Sequence, residues 1–180
     1  MKVLVVGDSQ AAGPPGLSLS RELQRLGHST RVVGNPGRGP FDYVRLPELW
    51  SAFTGAIAHF VPDDIVLVFG SNDEPSSSLR RALERFRDYS TFAGRVWLSG
   101  PPRYADSSAQ RRGEAIRQIH RQVFTDHFID AYPWSGQGVA RAGDGLHFTR
   151  ESGASWGIPL ANEILRRIAV PAGITRPGAP

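Results

Sequence analysis

The sequence contains no cysteine, which excludes disulfides, thiolate metal sites and a cysteine nucleophile. It has one lysine, Lys2, among 21 basic residues, so no lysine lies inside the chain to form a Schiff base or complete a Walker-type phosphate loop. No apolar run approaches the ~20 residues that a membrane span needs. There is no internal repeat, and no linker divides the chain. What remains is an ordinary globular composition over 180 residues, 40% hydrophobic and 21% charged, enough for one compact core.

The chain carries a formal net charge of +4, and its arginines are interleaved with 17 acidic residues rather than gathered on one face. That pattern reads as solvated helix faces, and no nucleic-acid partner is expected. The opening segment, Met1 to Asp8, is too short and too soon interrupted by Gly7 for a signal peptide, which places the chain in the cytoplasm by default. Virion association or another export route stays open, as does the oligomeric state.

Short apolar runs alternate with helical periodicity. Strands are expected at Lys2–Gly7, Thr30–Val33, Asp64–Gly70, Arg95–Ser99 and Phe128–Ala131. Helices are expected at Leu17–Gly27, at Tyr43–Phe60 with Pro47 marking a first turn, and at Ser76–Ala93, Ala109–Thr125 and Ser152–Ile168. The unbroken run from Ile65 to Phe69 suits a strand buried on both faces, as in a parallel sheet. The alternation predicts an α/β fold, a flavodoxin-like three-layer sandwich of about five parallel strands ordered 2-1-3-4-5. Residues 1–170 form the expected domain. The Gly- and Pro-rich residues 171–180 are expected to be a flexible tail.

Sites in such sheets form beyond the carboxyl ends of the strands. Four segments fall there: Gly7-Asp8-Ser9-Gln10, the loop from Gly34 to Pro40, Gly70-Ser71-Asn72-Asp73, and Asp144-Gly145-Leu146-His147. A serine hydroxyl becomes a nucleophile when a base removes its proton. His147 has the right chemistry for that base, and Asp144, three residues earlier, can reach its ring within one turn. Backbone N–H groups of Ser9 and a loop glycine, with the Asn72 amide, could meet a developing oxyanion.

These segments, in this order, resemble the SGNH (GDSL-like) hydrolase superfamily. Its first block is matched by Gly7-Asp8-Ser9, its third by Gly70-Ser71-Asn72-Asp73 and its last by Asp144-Gly145-Leu146-His147. The resemblance runs from residue 3 to about 169. It implies Ser9 as nucleophile, His147 as base, Asp144 as its orienter, and Ser9, Asn72 and a second-block glycine as oxyanion donors. Gly37 suits that glycine by its distance from Arg45-Leu46-Pro47, with Gly39 as the alternative. It implies Asp73 as a structural partner of the loops, and neither metal nor cofactor.

The implied activity is that of a carboxylic-ester hydrolase. The chain has no insertion large enough for a lid, so an open site and a short acyl group on a bulky alcohol, such as acetyl on a carbohydrate, are expected. A lysophospholipase or thioesterase of the same fold is the alternative enzyme, and a catalytically silent polysaccharide-binding module the alternative outside enzymes. Arg103, Tyr104 and Trp134 are candidate substrate-binding residues, the rings to stack on a sugar and the guanidinium to meet an anion. The remaining histidines, His28, His59, His120 and His127, lack ligand spacing and are expected at the surface or in satisfied positions.

Overall fold

In the computed structural model, residues 1–70, 72–90, 94–136 and 138–169 are described. Five parallel strands form one sheet in the order β2-β1-β3-β4-β5. They are β1 (Lys2–Gly7), β2 (Ser29–Gly34), β3 (Asp64–Val68), β4 (Arg95–Ser99) and β5 (Phe128–Ile129). The helices are α1 (Ser9–Ala12), α2 (Pro14–Arg25), α3 (Pro40–Arg45), α4 (Pro47–Phe60), α5 (Ser77–Ser90), α6 (Ser107–Phe124) and α7 (Ala154–Ala169).

Alternation along the central strands divides the interior into two layers. Leu4, Val6, Ile65 and Leu67 face one way, onto Phe53 of α4, Leu79, Leu83 and Phe86 of α5 and Ile116 of α6. Val3, Val5, Val66 and Val68 face the other, onto Leu19 and Leu23 of α2 and Trp156, Leu160 and Ile164 of α7. Each of these buried apolar side chains contributes roughly 1.5–3 kcal/mol by leaving water. The three-layer α/β/α sandwich and its strand order agree with the sequence expectation.

Local chemistry sets the element ends. Pro14, Pro40 and Pro47 stand at helix starts, where a missing N–H costs nothing. The stretch read as one helix with a first turn at Pro47 is therefore two, α3 and α4, meeting at Leu46. Asp106 caps α6 by accepting from Ala109 N at 2.7 Å. Strand β5 is shorter than expected: Asp130 leaves the ladder to bind Arg117 and Arg121. The expected end of the Ser76–Ala93 helix, at 91–93, and the tail beyond residue 169 lie outside the described residues.

Two tight features lock the layers. The wholly buried Asp64 at the start of β3 accepts from Arg95 Nε at 2.9 Å, Arg95 Nη2 at 3.1 Å and Trp97 Nε1 at 2.9 Å. It thereby ties β3 to β4. On the other face, α7 packs so closely on α2 that a Cβ at Gly157 would lie 2.3 Å from the Pro15 carbonyl oxygen and 2.7 Å from Leu19 N. At the amino ends of the strands, the exposed Lys2 donates from Nζ to the Phe60 carbonyl at 3.2 Å. The carboxyl ends lie at the opposite edge, and the candidate site is built there.

Candidate active site

Strand β1 ends at Gly7 because nothing larger fits. A Cβ there would lie 1.8 Å from the Val68 carbonyl oxygen of β3. Asp8 follows and caps α1, accepting from Gln10 N at 2.8 Å, and Ser9 opens that helix. The turn 144–147 rests on a short antiparallel bridge between Arg141 and Phe148 and on Ala105 N, which donates to the Gly145 carbonyl at 3.1 Å. Gly145 takes φ +67°, a left-handed conformation suited to glycine.

The two segments meet through His147. Its Nε2 lies 2.9 Å from Ser9 Oγ, and its Nδ1 lies 2.5 Å from Asp144 Oδ2. The other carboxylate oxygen, Asp144 Oδ1, accepts the backbone N–H groups of Leu146 at 2.9 Å and His147 at 3.0 Å. The His147 ring, with those two N–H groups, holds the Asp144 carboxyl well below the usual carboxylate range. An ionised Asp144 keeps the proton on Nδ1 and leaves the Nε2 lone pair toward Ser9. That tautomer can take a proton from the hydroxyl.

Asp8 is a site residue that reading along the chain gives no role. It is wholly buried, and its Oδ2 accepts from Gly70 N at 2.6 Å and Asn72 Nδ2 at 2.7 Å. Burial pushes its carboxyl up to about 6, against three N–H donors that favour the charged form. An amide nitrogen carries two protons. Asp8 takes one and fixes the Asn72 amide plane, leaving the second available to a substrate oxygen.

The glycine loop divides the remaining tasks. Gly37 has φ +74°, and a Cβ on it would meet nothing within 4 Å, so its conformation alone calls for glycine. Gly39 instead packs on Asp73, whose Oδ2 would lie 2.4 Å from an added Cβ. Asp73 Oδ2 also accepts from Phe41 N at 3.1 Å, which makes it a clamp between loops. Burial pushes its carboxyl up to about 6. Behind the loop, Tyr43 Oη donates to the Gly7 carbonyl at 2.8 Å and accepts from Asn35 Nδ2 at 2.7 Å.

One cleft opens at Ser9 and His147, and a second lies across the Arg141–Phe148 bridge. The first, small and mostly apolar, of about 270 Å³, is lined by Ser9, Pro14, Pro36, His147 and Phe148. The second, larger at about 500 Å³, is lined by Arg103, Tyr104, Tyr132 and Arg141 among others. Trp134 does not line either cleft; it packs against the core under α7. Tyr104 is only 5% exposed, which leaves little ring face for a sugar. His120 departs from the expectation of a surface or satisfied histidine: it is wholly buried, and burial lowers its pKa to about 3 against a weaker, opposing contact with the Ser99 backbone. Among the described residues no cluster of three metal-ligating side chains occurs, and no helix is long and apolar enough to cross a membrane.

No protein-family model matches the chain, and no curated protein matches its sequence. Solved structures do resemble its fold. A catalytic mutant of an acetylxylan esterase from Geobacillus stearothermophilus superposes with a TM-score of 0.70, at 16% identity, over 97% of this chain and 97% of that one. A family 3 carbohydrate esterase from Clostridium thermocellum gives 0.67 at 18% identity, over 94% and 99%. An alpha/beta hydrolase from the metagenome of Lake Arreo, Spain, gives 0.70 at 15% identity, over 92% and 93%. At these identities the likeness establishes a shared fold.

Proposed function

We propose that the protein is a serine esterase of the SGNH type, hydrolysing short acyl esters, acetyl above all, on a carbohydrate. The observation that carries this reading is the continuous chain Ser9 Oγ, His147 Nε2, His147 Nδ1, Asp144 Oδ2, with its links of 2.9 and 2.5 Å, at the carboxyl edge of a parallel sheet. The esterases named above share the fold and support the substrate class.

Ser9 Oγ attacks the ester carbonyl carbon while His147 Nε2 takes its proton. Charge that develops on the carbonyl oxygen is met by the Ser9 N–H, the remaining Asn72 Nδ2 proton and the N–H of Gly37, or of Gly39 as the alternative. Each such donor lowers the barrier by roughly 3 kcal/mol. The imidazolium then protonates the departing alcohol oxygen, leaving an acyl group on Ser9. Water, deprotonated by His147, attacks that acyl carbon and releases the acid. No step calls for a metal or cofactor. The mostly apolar cleft at Ser9, lined by Pro14, Pro36 and Phe148, gives the acyl group its place.

Hydrolysis of 4-nitrophenyl acetate, butyrate and octanoate by the wild type and Ser9→Ala tests this. Acetate is expected to be the best substrate, and Ser9→Ala is expected to abolish turnover at unchanged melting temperature. Equal turnover in the two proteins, or none in the wild type, overturns the reading.

A further inference from the structure

We propose that the 500 Å³ cleft across the bridge from the triad is a subsite for an anionic group, a carboxylate or a sulfate ester, carried on the alcohol half of the substrate and held by Arg141 and Arg103. This rests on the esterase reading for its place in the reaction, but the binding site can be tested without it.

The two clefts are separated by the short bridge that also carries the triad histidine. Phe148 lines the small apolar cleft with Ser9. Arg141, its partner across the bridge, lies with its guanidinium carbon 3.6 Å from the Phe148 ring centre and lines the large cleft. An ester whose acyl group fills the apolar side therefore sends its alcohol portion toward the arginines. The wall between the clefts is continuous with the catalytic edge: a Cβ at Gly70 would lie 2.9 Å from Tyr104 Oη and 3.1 Å from Asp8 Oδ2.

Charge in the large cleft is unbalanced. Two guanidiniums line it against a single carboxylate, Glu114. Glu114 accepts from two other residues of the cleft, Gln110 Nε2 at 2.7 Å and Tyr132 Oη at 3.5 Å, which leaves the lining with one more positive than negative charge. Among the described residues neither Arg103 nor Arg141 forms an ion pair. Other arginines do have carboxylate partners: Arg117 and Arg121 share Asp130, and Arg166 and Arg167 share Glu163.

The unpaired guanidiniums are also preorganised. Arg141 donates from Nη2 to the Arg103 carbonyl, and its Nη1 is buried without a partner. Arg103 donates from Nε to Tyr132 Oη at 3.0 Å and stacks 5.0 Å from that ring, so its orientation is fixed, while among the described residues its terminal nitrogens meet no carboxylate. The charge of a guanidinium fixed at the cleft wall without a carboxylate partner favours an anion in the cleft beside it. Burial lowers the Arg141 pKa to about 10, which still leaves it charged at neutral pH. Two planar forks on one wall suit the spaced oxygens of a carboxylate or sulfate.

The test uses Ser9→Ala, which cannot turn over an ester, and three probes: the methyl glycoside of a hexuronic acid, its neutral methyl ester, and a 6-sulfated hexose glycoside. Calorimetry is expected to show one anionic probe binding roughly 10- to 100-fold more tightly than the neutral ester. Which anion wins tells carboxylate from sulfate. The preference is expected to collapse when Arg141→Met or Arg103→Gln is added. The pair guards against either substitution disturbing the fold. Equal binding of neutral and anionic probes, or a preference that survives both substitutions, overturns the subsite. Turnover of 4-nitrophenyl acetate by the wild type judges the esterase reading separately. If turnover fails and anion preference holds, the subsite stands without the reaction; if turnover holds and preference fails, the reverse.

Discussion

Replacing Asp144 by asparagine is expected to damage catalysis more than replacing it by alanine, although asparagine is the smaller change in shape. The reason lies in how the carboxylate is held. Its Oδ1 accepts two backbone N–H groups, from Leu146 at 2.9 Å and His147 at 3.0 Å. An asparagine must keep its carbonyl oxygen there, because the reverse rotamer would aim its NH2 at both N–H groups. Its NH2 then occupies the Oδ2 position, 2.5 Å from His147 Nδ1 in the wild type. A donor at that place stabilises the tautomer with a bare Nδ1 and the proton on Nε2, which cannot accept the Ser9 proton. Alanine imposes no tautomer, and with the His147 side chain 43% exposed, water can take the vacant place. Loss of the charge-assisted bond in the alanine variant costs roughly 1.5–3 kcal/mol, or about 10- to 150-fold in kcat/KM. Forcing the wrong tautomer adds roughly 1–3 kcal/mol, another 5- to 150-fold. Hydrolysis of 4-nitrophenyl acetate ranks the three proteins, and nitrogen-15 NMR of the imidazole reads the tautomer directly. An asparagine variant as active as the alanine variant, or one with its proton still on Nδ1, refutes the reasoning.

Two further outcomes follow from residues away from His147. Gly157→Ala drives a methyl group into the Pro15 carbonyl and Leu19 N, both backbone atoms, so α7 must move off α2. Even after the gain in helix propensity, a net loss of ~1–3 kcal/mol is expected, read as a melting temperature lower by roughly 2–12 °C, and an unchanged midpoint would contradict the packing argument. Asp8 makes activity and stability diverge with pH. Its folded pKa, about 6, lies above the ordinary 3.8, so the fold favours the protonated form; its contribution to stability is fullest below 3.8 and is lost as pH rises through 6. Measured against Asp8→Asn as baseline, wild-type stability is expected to fall by up to about 3 kcal/mol from pH 4 to 7. The kcat is expected to rise over the same span, because only the carboxylate accepts all three N–H donors that set Gly70 and Asn72; a parallel rise in both quantities would count against this assignment.

The fold is legible in the sequence where burial and periodicity agree. Val3 to Val6 and Ile65 to Val68 are buried on both faces, so their unbroken apolar runs mark central strands directly. Edge strand β5 is misjudged because Asp130 and Ala131 look like strand continuation, and the distant arginines that draw Asp130 away leave no local trace. The helix expected from Leu17 begins earlier, at Pro14, because its apolar spacing starts only with Leu19 while proline suits a helix's first turn. In the site, Ser9, His147 and Asp144 are visible because their chemistry is written in residue type and order. Asp8 is not, since its partners lie 62 and 64 positions away and burial, not composition, gives it a task. The large cleft has no motif at all. Arg141 is one arginine among many until the fold stacks it on Phe148 at the wall of the cleft.

The single lysine, at the start of β1, lies at the end of the sheet away from the edge that carries Ser9 and His147. The extended strand carries the chain roughly 17 Å from there to Gly7. Amine-directed coupling to a resin, a dye or an electrode therefore anchors these residues by one known end and turns the triad outward. A lysine-rich relative of the same shape would attach in many orientations, a fraction of them facing the support.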